Sequence, residues 1–276
     1  MRVTNPSSDF RAFELAGWSN LETADTYLDS FGLVTAQSVP DVIDAADIQP
    51  GWLVLDVATG PGYVAAAAAR KGAIVTGIDF SPAMVQIAKR KYPEITFKEG
   101  DAQALAFGTS SFDAVIAAYG LLHFSDPDLA VREAYRVLHK GSRFAFSVWA
   151  DPNSGSGMGV VLAAVQAKGR TDVPLPPGPP QFRFSDPAEC LRVLGAAGFI
   201  DIETKRVEQT WRVPDAKTWL DRLRGGSVRL KALLAGQTPQ ALQAIYDQVA
   251  VDLRQYTTSD GIIVPMPALV GWGRKP

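Results

Sequence analysis

The chain has 276 residues, 47% apolar and 20% charged, a composition typical of soluble globular proteins and unlike that of disordered ones. Its 27 basic and 29 acidic residues leave a net charge of −2, without the basic surplus that neutralises nucleic-acid phosphates. One cysteine, Cys190, allows no internal disulfide, and with only His123 and His139 beside it a Cys/His zinc site is excluded.

Residues 1–9 hold no apolar signal core, and no stretch approaches the ~18 apolar residues of a membrane span, so a cytoplasmic protein is expected. Residues 1–50 read as an amphipathic helical lid with Phe10, Phe13, Trp18, Tyr27 and Phe31. Pro50-Gly51 ends it. Residues 51–150 alternate strand and helix. Trp52 to Val57 is a buried strand. A turn, Ala58-Thr59-Gly60-Pro61-Gly62, leads to a helix from Tyr63 to Lys71 that Gly72 closes. Ala73 to Asp79 is the next strand, and Ser81-Pro82 starts a helix to about Tyr92. Strands follow at Ile95–Glu99 and Phe112–Ala118, then a short helical segment, a helix at Pro127–Leu138 and a strand at Ser142–Trp149. This order predicts an α/β fold whose parallel sheet is covered on both faces.

Residues 150–181 break the rhythm, with Gly, Ser and Pro clustered at both ends, and read as an insertion or mobile loop outside the core. A helix at Pro187–Gly198 and one long strand at Phe199–Trp211 follow. Residues 215–256 are helical. Ile262 to Trp272 is the last strand, where Pro265 and Pro267 argue for an edge or a bulge. The remainder of the sheet thus falls at about 182–211 and 262–273, with an inserted helical cap at about 214–260.

The turn at 58–62 is the expected cofactor site. Glycines let a backbone approach a ligand closely, and ligands of parallel sheets bind beyond the carboxyl ends of the strands. A turn that merely joins strand to helix is the plain alternative. Gly60-x-Gly62-x-x-Ala65 with Asp79 further on also fits a relaxed dinucleotide fingerprint. Asp56 separates the cofactors: a carboxylate there repels a pyrophosphate and favours the cationic amino-acid moiety of S-adenosylmethionine (SAM).

Val54-Leu55-Asp56-Val57-Ala58-Thr59-Gly60-Pro61-Gly62 resembles motif I of the class I SAM-dependent methyltransferases. It is closest to the bacterial small-molecule type related to the ubiquinone/menaquinone C-methyltransferases. The commoner motif has Gly where Ala58 stands, and the related C-methyltransferases also tolerate Ala there. Three further stretches resemble later motifs in order: Thr76 to Ser81, Gly100-Asp101-Ala102, and Phe112 to Phe124. Arg136 to Ser142 resembles the family's R-V-L-K-P-G-G turn, with Lys140 in place of proline. The resemblance implies a Rossmann-like, doubly wound, mostly parallel seven-stranded sheet with a helical cap. It implies SAM as cofactor and S-adenosylhomocysteine (SAH) as product, held by Asp56, Ala58, Thr59, Gly60, Gly62, Asp79, Phe80, Met84, Asp101, Ala102, Ala118 and Tyr119, with Tyr27 from the N-terminal helices on the methionine moiety. Asp79 would accept the ribose hydroxyls and Asp101 the adenine amine.

His123, after the fourth strand, is the candidate general base, with packing inside the short helix as the alternative. His139 complements a helix C-terminus. Cys190 is core. Arg222, Arg224, Arg229 and Lys231 either meet an acidic substrate or form a solvated face. The acceptor is expected to be a small, apolar molecule seated under residues 151–181 and 214–260. A SAM-binding cyclase or binding module of the same fold is the first rival, and an NAD(P)-dependent oxidoreductase, lacking an evident Tyr-x-x-x-Lys pair, the second. Acceptor, methylated atom and oligomeric state stay open.

Overall fold

The computed structural model describes residues 6–276. Four short helices come first: α1 (Pro6–Trp18), α2 (Leu21–Asp29), α3 (Phe31–Thr35) and α4 (Val39–Ala45). They occupy the stretch expected to be helical, whose first five residues lie outside the described ones. Then follow β1 (Leu53–Val57), α5 (Tyr63–Arg70), β2 (Ile74–Asp79), α6 (Pro82–Lys91), β3 (Thr96–Glu99), β4 (Phe112–Ala118), α7 (Pro127–Val137) and β5 (Leu138–Trp149). Caps mark the helix starts as the sequence demands. Ser81 accepts the Met84 N–H ahead of α6, and Asp126 accepts that of Leu129 ahead of α7.

The second half adds α8 (Gly157–Lys168), α9 (Pro187–Ala197), β6 (Ile200–Val207), β7 (Thr210–Val213), α10 (Ala216–Gly225), α11 (Val228–Ala235) and α12 (Pro239–Asp252). It ends on β8 (Thr257–Thr258), β9 (Gly261–Pro265) and β10 (Ala268–Arg274). The main sheet has seven strands in the order β3-β2-β1-β4-β5-β10-β6, parallel except where β10 runs against β5 and β6. It is the Rossmann-like α/β sheet the motif order implied.

Side chains alternate across this sheet with period two. Leu55, Val57, Val115 and Phe144 pack on one face. Val54, Ala114, Ile116 and Ala145 pack on the other, against α4 and α5. Both faces are therefore dry, and binding is confined to the strand ends. Among the described residues no helix is long and apolar enough to cross a membrane.

Four expectations need correction. The stretch 150–181 is not all loop: α8 lies inside it and buries Met158, Val161, Ala164 and Val165 against α12. The expected strand Phe199–Trp211 is two strands in two sheets, β6 in the main one and β7 in a three-stranded sheet, β7-β9-β8. The last strand divides likewise into β9 and β10. Ala268 pairs with Val207 and Pro265 with Thr210, so one antiparallel ribbon passes from sheet to sheet. Pro265 and Pro267 mark that passage rather than an edge, for β10 is an interior strand. Finally, His139 does follow the end of α7 but lies in β5, and its Nδ1 is 3.0 Å from Asp113 Oδ1, so its partner is that carboxylate rather than the helix end.

Candidate active site

An open cleft of about 840 Å³ lies at the carboxyl ends of β1, β2 and β4. The chain leaves β1 at Ala58 and β4 at Tyr119, and both residues are left-handed, with φ of 55° and 54°. Such backbone costs a non-glycine residue ~1–2 kcal/mol and, held by its surroundings, is common at functional sites. Gly60 follows with φ 52°, and a Cβ there would meet nothing within 4 Å, so open space lies above it. Gly62, with φ 86°, does not face the cleft. A Cβ there would meet Phe97 and Tyr92 at 3.0 Å, so its part is to close the turn onto α5.

The turn uses its backbone donors inside the protein. Thr59 N–H goes to Ile78 O at 2.9 Å and Gly62 N–H to Thr59 O at 2.9 Å. Gly60 N–H goes to Asp79 Oδ2 at 2.8 Å and Ala65 N–H to Asp56 Oδ2 at 3.0 Å. Asp56 is buried and also accepts the Thr59 hydroxyl at 2.7 Å. Its other oxygen, Oδ1, is buried without a partner. Burial, outweighing these donors, and the nearby negative Asp79 push the Asp56 carboxyl up to about 7. Asp79 accepts the Ser81 N–H at 2.9 Å through Oδ1, and burial pushes it up to about 6.

Two recesses adjoin the cleft. One, of about 360 Å³, holds Asp56 and Thr59 together with Tyr27, Ala58, Gly60, Ala118 and Tyr119. Tyr27 reaches it from α2 and lies 3.2 Å from the Thr35 hydroxyl. The other, of about 350 Å³, holds Phe80, Asp101 and Ala102. Arg11 of α1 reaches Asp101 there at 2.9 Å. Met84 lines the main cleft from α6 and packs with Trp18. Of the anticipated residues, all but Gly62 therefore line the cleft or one of the two recesses that share wall residues with it.

The remaining walls were not foreseen. Trp149, Met158 and Leu122 make the cleft's apolar side, with Phe31 against Trp149 at 5.6 Å between ring centroids. Tyr119 donates to Gln209 Oε1 at 2.7 Å, and the Gln209 amide donates to Val34 O at 2.9 Å. His123 lines the cleft, and its Nδ1 lies 2.9 Å from Glu14 Oε2. Arg229 donates from Nε to Glu14 Oε1 at 2.8 Å, so it belongs neither to a solvated face nor to a free acid-binding patch. The one available signal for Glu14 was its place in the stripe Phe10, Glu14, Trp18, spaced four apart on α1. A carboxylate amid apolar neighbours on a helix face announces a buried partner.

The protein-family model described as "Methyltransferase domain" matches residues 55–146, which run from β1 to β5. Residues 55–146 are thus the part of the chain that resembles a methyltransferase domain. Demethylmenaquinone methyltransferase of Renibacterium salmoninarum is 40% identical over 114 residues, 41% of this chain and 48% of that protein. The chain thus spans about half the length of the curated relatives it matches. Phosphoethanolamine N-methyltransferase 2 of Haemonchus contortus, solved with phosphomonomethylethanolamine and SAH, superposes with a TM-score of 0.60 at 19% identity, over 97% of this chain and 60% of that one. The [4+2]-cyclase SpnF superposes with a TM-score of 0.51 at 23% identity, over 87% and 81%. These likenesses extend the methyltransferase fold beyond the domain to most of the chain. Every anticipated cofactor residue except Tyr27 falls inside the domain. Glu14, Trp149, Met158 and Arg229 fall outside it.

Proposed function

We propose that this protein is a SAM-dependent methyltransferase that acts on a small, largely apolar organic acceptor. The observation that carries the reading is how the turn after β1 uses its donors. A dinucleotide site aims free N–H groups at a pyrophosphate. Here the N–H groups of Thr59, Gly60, Gly62 and Ala65 are taken by protein acceptors, two of them by the carboxylates of Asp79 and Asp56. The site is acceptor-rich, and the Asp56 oxygen buried without a partner fits a ligand that brings a cation and donors.

Bound there, SAM supplies a methyl group on a positively charged sulfur. Asp56 would balance the ligand's positive amino-acid end, with Tyr27, Thr59 and Ala118 around it. Each Asp79 oxygen has one backbone donor and keeps a lone pair for a ribose hydroxyl. Phe80, Met84, Asp101 and Ala102 would flank the base. Leu122, Trp149 and Met158 exclude water from the acceptor side, which favours an in-line displacement that needs alignment more than chemical assistance. Calorimetric titration with SAH, and with NADH as control, tests the reading. Binding of SAH alone is expected, and SAH release from SAM in an acceptor screen should follow. Binding of NADH in its place overturns the assignment.

A further inference from the structure

We propose that Glu14 is a positioning residue which holds His123 as a general base, so that the acceptor is one that gives up a proton as it is methylated, an apolar molecule with a phenol- or enol-type hydroxyl. This rests on the methyltransferase reading above. Glu14 is fully buried, yet it comes from α1, outside the methyltransferase domain. Three donors converge on its carboxylate. Arg229 Nε meets Oε1 at 2.8 Å; Trp18 Nε1 and His123 Nδ1 meet Oε2 at 3.1 and 2.9 Å.

Burial works against a charge on Glu14, but His123 and Arg229 outweigh it and hold the carboxyl below its ordinary value of 4.5. Glu14 is thus an anion, and an anion 2.9 Å from a ring nitrogen requires the proton on that nitrogen. The Trp18 indole approaches the same nitrogen only at 3.4 Å, a long contact beside its 3.1 Å bond to Glu14. Nδ1 therefore carries a proton, and when the ring is neutral its lone pair lies on Nε2. Arg229 is fixed in turn by Pro179 O at 3.1 Å, by Leu122 O, and by the Phe10 ring at 4.4 Å. The ensemble has no freedom to serve a substrate carboxylate. Its most exposed member is the imidazole, whose side chain is 22% accessible at the cleft, against 14% for Arg229.

The chemistry balances around that nitrogen. His123 takes the acceptor's hydroxyl proton on Nε2. The oxygen lone pair so released forms the bond to the methyl carbon, and the pair of the broken carbon–sulfur bond stays on sulfur. The imidazolium faces the Glu14 anion, which stabilises it as charge develops. The aromatic wall of Phe31, Tyr119 and Trp149 suits a flat ring carrying that hydroxyl.

Nitrogen-15 NMR of histidine-labelled protein saturated with SAH tests this directly, because the chain has two histidines and His139→Gln assigns them. The wild type is expected to show His123 as Nδ1–H. In Glu14→Gln the amide oxygen turns to the Arg229 cation and the NH2 to His123, so Nδ1 becomes an acceptor and the ring is expected to switch to Nε2–H. Added phenol should move the Nε2 signal, and benzene should not. An Nε2–H ring in the wild type overturns the proposal even if the variant does not fold. So does an unchanged tautomer in the variant, or a phenol that leaves Nε2 unmoved. Wild-type protein with the expected tautomer but no affinity for SAH refutes the methyltransferase reading instead.

Discussion

Replacing Asp56 by Asn isolates the cost of the acceptor-rich turn. The Asp56 carboxyl stands at about 7 against an ordinary 3.8. At ~1.4 kcal/mol per pH unit, keeping it ionised above pH 8 costs the ligand-free fold about 4 kcal/mol. Its folded value is raised, so the folded state holds the extra proton between pH 4 and 7. The stability it confers is complete below pH 4 and is lost as pH rises to about 7. Asn keeps an acceptor oxygen for Thr59 and Ala65 but leaves its NH2 unpaired where Oδ1 stood, at ~1–3 kcal/mol. Above pH 8 the variant should therefore gain about 1–3 kcal/mol, or roughly 2–10 °C in Tm for a chain of this size. Near pH 4 the sign should reverse. Thermal unfolding of both proteins across this range is the assay, and a Tm difference that does not vary with pH refutes the argument. Calorimetry supplies the complement. SAH should release about half a proton per site at pH 7 as Asp56 ionises beneath its cation, and its affinity should fall in the variant.

Gly60→Ala should lose ~1–2 kcal/mol of stability to its left-handed backbone and at least ~10-fold in SAH affinity as the Cβ enters the open space above the turn; unchanged affinity would place the cofactor elsewhere. Arg229→Ala leaves the buried Glu14 anion without its cation and should cost ~3 kcal/mol. Hydrogen exchange should then report α1 among the first segments to open. The depressed Glu14 carboxyl contributes stability that is complete above pH 4.5 and lost as pH falls further, so α1 amides should lose protection in acid even in the wild type. His123→Ala should cut turnover ~10²-fold with SAH binding retained; full turnover would remove the base from the mechanism.

Local chemistry made β1 to β5 legible. Pro82 behind a serine cap, glycines at 60, 62 and 72, and apolar runs between them each constrain neighbouring residues only. The candidate site residues were readable for the same reason, since they sit in consecutive turns of one sheet. What was hidden depends on distant partners. Glu14 and Arg229 are separated by most of the chain, and no spacing connects them. Gly157-Met158-Gly159-Val160-Val161 looks like loop because the first turns of this helix are apolar on every side and show no polar face, and its glycines belong there for space: a Cβ on Gly157 would meet Val264 and Trp219 at 2.5 and 2.6 Å. The corner between β6 and β7 left no mark, because alternation with period two runs on through Gln209 while the strand changes sheets.

That corner governs how the molecule comes apart. β10 wedges between β5 and β6 to complete the main sheet, and two residues earlier the same stretch of chain is β9, the middle strand of the small sheet. Neither sheet can be complete without it. The main sheet and the cap-side sheet, though each packs its own apolar cluster, are joined by that shared ribbon, so the chain should unfold as one cooperative unit, with a single calorimetric transition whose van't Hoff and measured enthalpies agree.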